Sequence, residues 1–431
     1  MKKIASLLAA LSLLTACIYP FQPDFENEEI LDDILVVDGN ILIGEVSTVR
    51  ISFMTDMWPK KTDPEAIPGG GGVLFTRASS PANSQIIYIV PEYSKNITVW
   101  AEDDGGGKYE GTLDMEALVA TYTTGSYVPG LPYTLATEDA PTDRSYRLCV
   151  QVKDLLYTSD WIKPLAPPVL KNISFKASKP NEKADVTVAV TLDGGPDATG
   201  YVLLSYDETW QFHATWYPNF EYDPNRNIVS ERRTTWEHYW CWKSVDPGTQ
   251  LPVDISGMAS STLKDYPFHS FSRYDNRNHK RYSIRVKART IDKDTYLYLR
   301  RLEENTDIGG NLFSPNPGEI VGNLRCETEP DRMVLGFVTV ARLATMRAYI
   351  GSSYYISRVL SPYELAYPRA LAQGQGDLGW PEYYRMGYMP VEENSLPDPD
   401  PNFGPYGWAS AECYDCIAAG GTQERPDFWE E

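Results

Sequence analysis

From Ile34 onward the apolar positions of the chain fall in short runs divided by glycine and proline, the rhythm of strands and turns. Ile34-Leu35-Val36-Val37, then Asp38-Gly39-Asn40, then Ile41-Leu42-Ile43 read as a hairpin, since Asp-Gly between apolar runs is a tight-turn cue. Further strands are predicted at Val49–Phe53, Val73–Thr76, Ile86–Val90, Ile97–Trp100, Tyr133–Ala136 and Tyr146–Val152. Val186, Val188, Val190 and Leu192 alternate strictly with polar or small neighbours, as a half-buried strand does. Val169–Phe175, Tyr201–Tyr206, Tyr282–Ala288 and Leu335–Leu343 extend the β reading. The clearest helix spans Asp292–Asn305: Asp292 or Asp294 can cap it, Tyr298, Leu299 and Leu302 share a side, and Gly309-Gly310 ends it.

These elements predict a mainly β protein of two β-sandwich domains of the immunoglobulin or fibronectin-III kind. Pro164 and Pro167-Pro168 break the pattern, placing the first domain at 31–166 and the second at 167–345. The second domain is expected to carry a long polar and aromatic insertion at 207–280 and the helix at 292–305. Residues 346–431, rich in Pro, Gly and Tyr, read as an irregular region packed across the others.

The start of the chain changes the picture from fold to location. Lys2 and Lys3 precede the apolar run Ile4–Leu14, which is long enough for a signal peptide and too short to span a bilayer. Leu14-Thr15-Ala16-Cys17 is a lipobox. Cleavage would remove residues 1–16 and leave Cys17 acylated, and several acyl chains anchor stably where one is marginal. No other stretch approaches the length of a spanning helix. Ile18, in place of an aspartate, favours the outer membrane. Asp24, Glu26, Glu28, Glu29, Asp32 and Asp33 give an acidic tether that overlaps and follows 17–30. An acidic tether fits the cell surface better than the periplasmic face.

Charge narrows the partners. The chain has 39 Lys+Arg against 59 Asp+Glu, a net −20, which becomes −22 once Lys2 and Lys3 leave with the leader. Nucleic acids and anionic lipid surfaces need basic patches, so neither is an expected partner. With only 4 His, and with neither Gly-x-Ser-x-Gly nor His-Glu-x-x-His present, no catalytic residue, metal site or cofactor is assigned. Gly69–Gly72 lacks the Gly-Lys-Ser/Thr ending of a phosphate loop. Asp398-Pro-Asp400-Pro-Asn402 lacks the glycine and glutamate that a calcium loop requires.

Two groups of residues stand out. Five cysteines follow Cys17 in a compartment that permits disulfides. Cys149, far from the rest, reads as a free buried thiol. Cys241, Cys326, Cys413 and Cys416 allow three pairings, of which Cys241–Cys326 with Cys413–Cys416 is the most economical. The long loop would contribute about 4–5 kcal/mol and the short one about 2. Cys413-x-x-Cys416 has redox or zinc spacing but no matching context. The second group is aromatic: Trp210, Trp216, Trp236, Tyr239, Trp240 and Trp242, flanked by His213 and His238. Such rings either bind a glycan or peptide face or fill the core beneath an insertion.

Several segments, in order, resemble a family of Bacteroidota lipoproteins known as domain of unknown function 4249. They are Leu35-Val36-Val37-Asp38-Gly39, Gly125-Ser126-Tyr127, Gly130-Leu131-Pro132-Tyr133-Thr134-Leu135 and Tyr157-Thr158-Ser159. After these come Cys241-Trp242-Lys243, Gly322-Asn323-Leu324-Arg325-Cys326, Pro330-Asp331 and Val334-Leu335-Gly336-Phe337. Cys413, Cys416, Gly420-Gly421-Thr422 and Pro426-Asp427-Phe428-Trp429 close the match. The resemblance implies a β-rich outer-membrane lipoprotein encoded beside TonB-dependent transporters, and brings no catalytic residues. The expected role is a non-enzymatic accessory that captures or admits a ligand for such a transporter. A structural or adhesive surface protein is the alternative, and a surface glycan or peptide hydrolase a further one.

Overall fold

The computed structural model describes residues 34–54, 96–115, 117–118, 130–177, 185–258, 261–272, 275–278, 280–307, 321–350, 365–366, 379–394 and 404–429. The expected strands at Val73–Thr76 and Ile86–Val90 lie outside these residues, as do the leader, Cys17, the tether, Gly69–Gly72 and Asp398–Asn402. Among the described residues the chain is mainly β, in several sheets, as the apolar pattern predicts. No helix among them is long and apolar enough to cross a membrane.

The first seven strands are β1 (Leu35–Leu42), β2 (Ser47–Phe53), β3 (Ile97–Asp103), β4 (Lys108–Leu113), β5 (Leu131–Leu135), β6 (Tyr146–Val152) and β7 (Leu155–Ser159). The chain then leaves for β8 (Val169–Ala177), β9 (Asp185–Asp193), β10 (Tyr201–His213), β11 (Phe220–Asp223), β12 (Ile228–Glu231), β13 (Trp240–Val245), β14 (Leu251–Asp254), β15 (Thr262–Ser272) and β16 (Arg281–Thr290). Helix α1 (Lys293–Asp307) follows, then β17 (Leu324–Cys326), β18 (Val334–Ala341) and β19 (Ala344–Tyr349). The last part holds α2 (Trp380–Arg385), β20 (Met389–Glu393), β21 (Tyr406–Ala409) and α3 (Ala411–Tyr414).

β17 and β18 return to the first sheet. Its nine strands run β17-β7-β6-β3-β4-β5-β2-β1-β18, so its two edge strands both come from residues beyond 320. The sheet curls until those edges approach. Just before β17, Asn323 Nδ2 donates to Val338 O at 2.7 Å and Asn323 Oδ1 accepts from Val338 N–H at 2.8 Å. The result is close to a barrel, which leaves little edge exposed to stray pairing. Its interior is an apolar core with Leu35, Val37, Ile41, Ile51, Val99 and Leu148, all fully buried. The break near 166 is where the chain leaves this sheet, not the last residue to join it.

Asp38-Gly39-Asn40 is not a turn. β1 runs straight through it, paired antiparallel to β2 and parallel to β18. Glycine is there for closeness: a Cβ on Gly39 would sit 2.9 Å from Val338 Cγ2 and 3.2 Å from Leu148 Cδ2. The reversal comes later, at Gly44, whose φ of +96° suits glycine.

The second core lies between two sheets. One is β15-β9-β8; the other is β13-β10-β16-β19, with β14 also on β10. Val186, Val188, Val190 and Leu192, all fully buried, face Val202, Leu204, Ile284 and Val286 across this core. The segment 207–280 is therefore no excursion from the second body. It supplies most of β10 and all of β13, β14 and β15, and the long β10–β16 pairing runs from Val202↔Thr290 to Gln211↔Arg281. It read as an insertion because its strands interleave polar residues with aromatics, which hides the two-residue period. α1 starts where the sequence places it, with Thr295 N–H donating to Asp292 Oδ1 at 2.7 Å.

Candidate functional site

The six aromatics singled out in the sequence do not meet on one face. Trp210, on β10, is 3% exposed within the second core, with the Arg277 guanidinium 4.7 Å from its ring centroid. Trp216 and Trp236 pack on a small cluster with Val391, Ala409, Cys413 and Tyr414 from the last part of the chain. Trp236 Nε1–H donates to Tyr414 O at 2.7 Å, and Trp216 N–H donates to Cys413 O at 2.9 Å. Trp242 forms a two-way backbone bridge with Thr422, at 2.7 and 2.8 Å. Tyr239 is half-buried and stacks on His213, centroids 4.9 Å apart. Trp240 is the exposed member, 38% accessible and edge-on to His213 at 4.9 Å. Trp216, Trp236 and Trp242 thus hold the chain end against the second body. A similar role falls to Tyr222 and Val229 of the β11–β12 hairpin, which pack with Trp380 and Trp408.

The cysteines do the same work with a different pairing. Cys241 on β13 is bonded to Cys416, Cα–Cα 5.7 Å, so neither Cys241–Cys326 nor Cys413–Cys416 forms. Loop economy misled because it ignores the sheets: Cys326 sits on β17 in the first core, whereas Cys241 lies in the second. Cys326, Cys413 and Cys149 are free buried thiols. For Cys149 this matches the sequence reading, and burial, with Glu102 adding to it, pushes its thiol up to about 12. Beside the disulfide, His238 Nδ1 and Asp415 Oδ2 are 2.9 Å apart, and Cys416 N–H donates to His238 O at 2.9 Å.

The sequence reading missed a polar knot in the second core. Glu208 on β10 is 2% exposed. It accepts from Tyr282 OH at 2.7 Å and from Arg277 Nε at 3.1 Å, and lies 2.9 Å from His269 Nε2. His269 Nδ1 in turn meets Tyr206 OH at 2.9 Å, and Arg277 also holds Asp275. Burial alone would raise the Glu208 carboxyl. The hydrogen bonds from His269 and Tyr282, and the Arg277 charge, outweigh it and hold the carboxyl below its ordinary value. Every strong partner is internal, so the knot reads as structural. The only signal for it in the sequence is an acidic residue where β10 otherwise turns apolar.

Between the two bodies, Arg289 from β16 is 7% exposed and donates to Asn40 Oδ1 on β1. Asn40 Oδ1 also accepts from Thr339 on β18 at 3.0 Å. Burial lowers the Arg289 guanidinium to about 10, against the pull of Asp38. Close by opens a cleft of about 670 Å³. It is lined by Asp160, Trp161 and Lys163 from the segment after β7 and by Asp294, Leu297 and Arg301 of α1. Val321 and Phe337 also line it, and Tyr298 of α1 stacks on Phe337 with centroids 4.2 Å apart. A concave site of this size at a junction of bodies is where ligands are commonly held. Its lining comes from five separate stretches of chain, which no local pattern in the sequence brings together.

Among the described residues no group of three or more His, Cys, Asp or Glu is placed to hold a metal ion. No curated protein matches the chain. The family model described as Domain of unknown function (DUF4249) matches residues 18–347, most of the length over which both sheet bodies form, and the protein belongs to that family.

Proposed function

We propose that this protein is an outer-membrane lipoprotein, anchored through Cys17 at the cell surface, that serves a TonB-dependent uptake system as a non-enzymatic ligand-capture or gating component. The observation that carries the reading is Leu14-Thr15-Ala16-Cys17 after a short apolar run, with β1 opening at Leu35. A lipid at one end and folded β bodies at the other suit a tethered accessory. The second body, with two sheets across one core, supports a sandwich of the immunoglobulin kind. The cleft beside α1 offers the place for a ligand.

The test is a mild-detergent pull-down of the tagged, lipidated protein from its own outer membrane, read by mass spectrometry. A TonB-dependent transporter in near-stoichiometric yield is expected, and Cys17→Ala should release the protein from the membrane fraction. A wild-type protein recovered alone overturns the accessory role and moves the weight to an adhesive or structural one.

A further inference from the structure

We propose that the cleft between the first sheet and α1 binds a short zwitterionic peptide with apolar side chains, two or three residues long. The proposal deepens the ligand-capture reading above by naming the ligand class, and the shape, surface and charge of the cleft each bear on it.

The volume, about 670 Å³, lies within the usual range for small-ligand sites. Three large apolar side chains are left open there: Trp161 at 43%, Leu297 at 38% and Val321 at 65% exposed. Apolar surface gathered in one concavity, in place of being scattered singly, marks a contact site. It would take up the apolar side chains of a ligand.

The charges then select among apolar ligands. Lys163, from the segment after β7, and Arg301, from α1, both line the cleft, and among the described residues neither has an ion-pair partner. In a protein of net charge −20, two cations in one cleft, neither of them in an ion pair among the described residues, offer a place for an anionic group. Yet the lining also holds carboxylates. Asp160 is held by Arg325 at 2.6 Å, Asp292 caps α1, and Asp294 has no such partner among the described residues. A polyanion would meet these acids. A neutral sugar would hydrogen-bond to Lys163, Arg301 and Asp294 through its hydroxyls without bringing an opposite charge to any of them. A peptide with free ends supplies a carboxylate for the cations and an ammonium for the acid, while its side chains cover Trp161 and Leu297.

The test uses the full lipidated chain in detergent, titrated calorimetrically with trileucine, with trileucine blocked at both ends, and with maltotriose. Trileucine should bind, and the blocked form should bind at least about tenfold more weakly, since a hydrogen bond to a charged group is worth about a factor of ten or more. Arg301→Gln should weaken trileucine by about tenfold and leave the blocked form unchanged. Because Arg301 is exposed, that variant should melt with the parent. Absence of trileucine binding, equal binding of the blocked form, indifference to Arg301→Gln, or preference for maltotriose each overturns the proposal. The titration needs no transporter, so a failed pull-down and a failed titration are separate results.

Discussion

Glu208 shows how one residue can matter to a core it seems to contradict. A carboxylate that is 2% exposed survives only because Tyr282, Arg277 and His269 all point at it. Removing its charge leaves Arg277, beside Trp210, with Asp275 as its one remaining ion-pair partner among the described residues. Glu208→Gln should therefore cost about 3 kcal/mol in urea unfolding at neutral pH. Tyr282→Phe, which removes one donor, should cost about 1–2 kcal/mol. The sign of the pH dependence follows from the depressed carboxyl. Its contribution is present above the ordinary glutamate value, 4.5, and is lost as pH falls through the lower folded value. The parent should lose stability on acidification through that window. Glu208→Gln should lack that part of the loss, and parallel acid profiles for the two proteins would show that Glu208 is not the group responsible.

At the scale of elements, the closure of the first sheet rests on contacts that admit no side chain. Gly336 on β18 has φ +113°, and a Cβ there would lie 1.8 Å from Val37 O on β1. A Cβ on Gly322 would lie 1.9 Å from Gly336 O, at the seam where the edges approach. Gly336→Ala should thus separate β1 from β18 and destabilise the protein by at least about 3 kcal/mol, combining backbone strain with overpacking. A variant that melts with the parent would mean that the seam opens without consequence. Elements with a local cause were legible in the sequence: Tyr146–Val152 coincides with β6, the Val186–Leu192 alternation lies within β9, and Asp292 caps α1. Elements decided by distant partners were not. β1 read as a hairpin because its Asp-Gly looks like a turn, and Leu148 and Val338, about 110 and 300 residues later, explain the glycine. The cleft was hidden for the same reason, since Trp161, Leu297 and Val321 are ordinary exposed residues until the fold brings them together.

At the scale of the whole molecule, the problem is how a Pro- and Gly-rich chain end stays attached to the second body. Trp216, Trp236 and Trp242 hold it by packing and backbone bonds, and Cys241–Cys416 ties it covalently across 175 residues. Packing of that kind can fray locally; a covalent link cannot. On the chain-entropy account, closing a loop of that length stabilises the folded state by about 5 kcal/mol. For a protein of 431 residues this corresponds to a fall of several degrees in Tm on reduction. Cys416→Ser should reproduce that fall without reductant, and reductant should have no further effect on it. Cys326→Ser should instead respond to reductant as the parent does, since Cys326 is free in the first core. The loss should also be directional: limited proteolysis of the reduced protein should cut beyond Ile350 before it reaches the first sheet. If Cys326→Ser abolished the response to reductant and Cys416→Ser kept it, the chain end would be held by packing alone and the covalent tie would lie elsewhere.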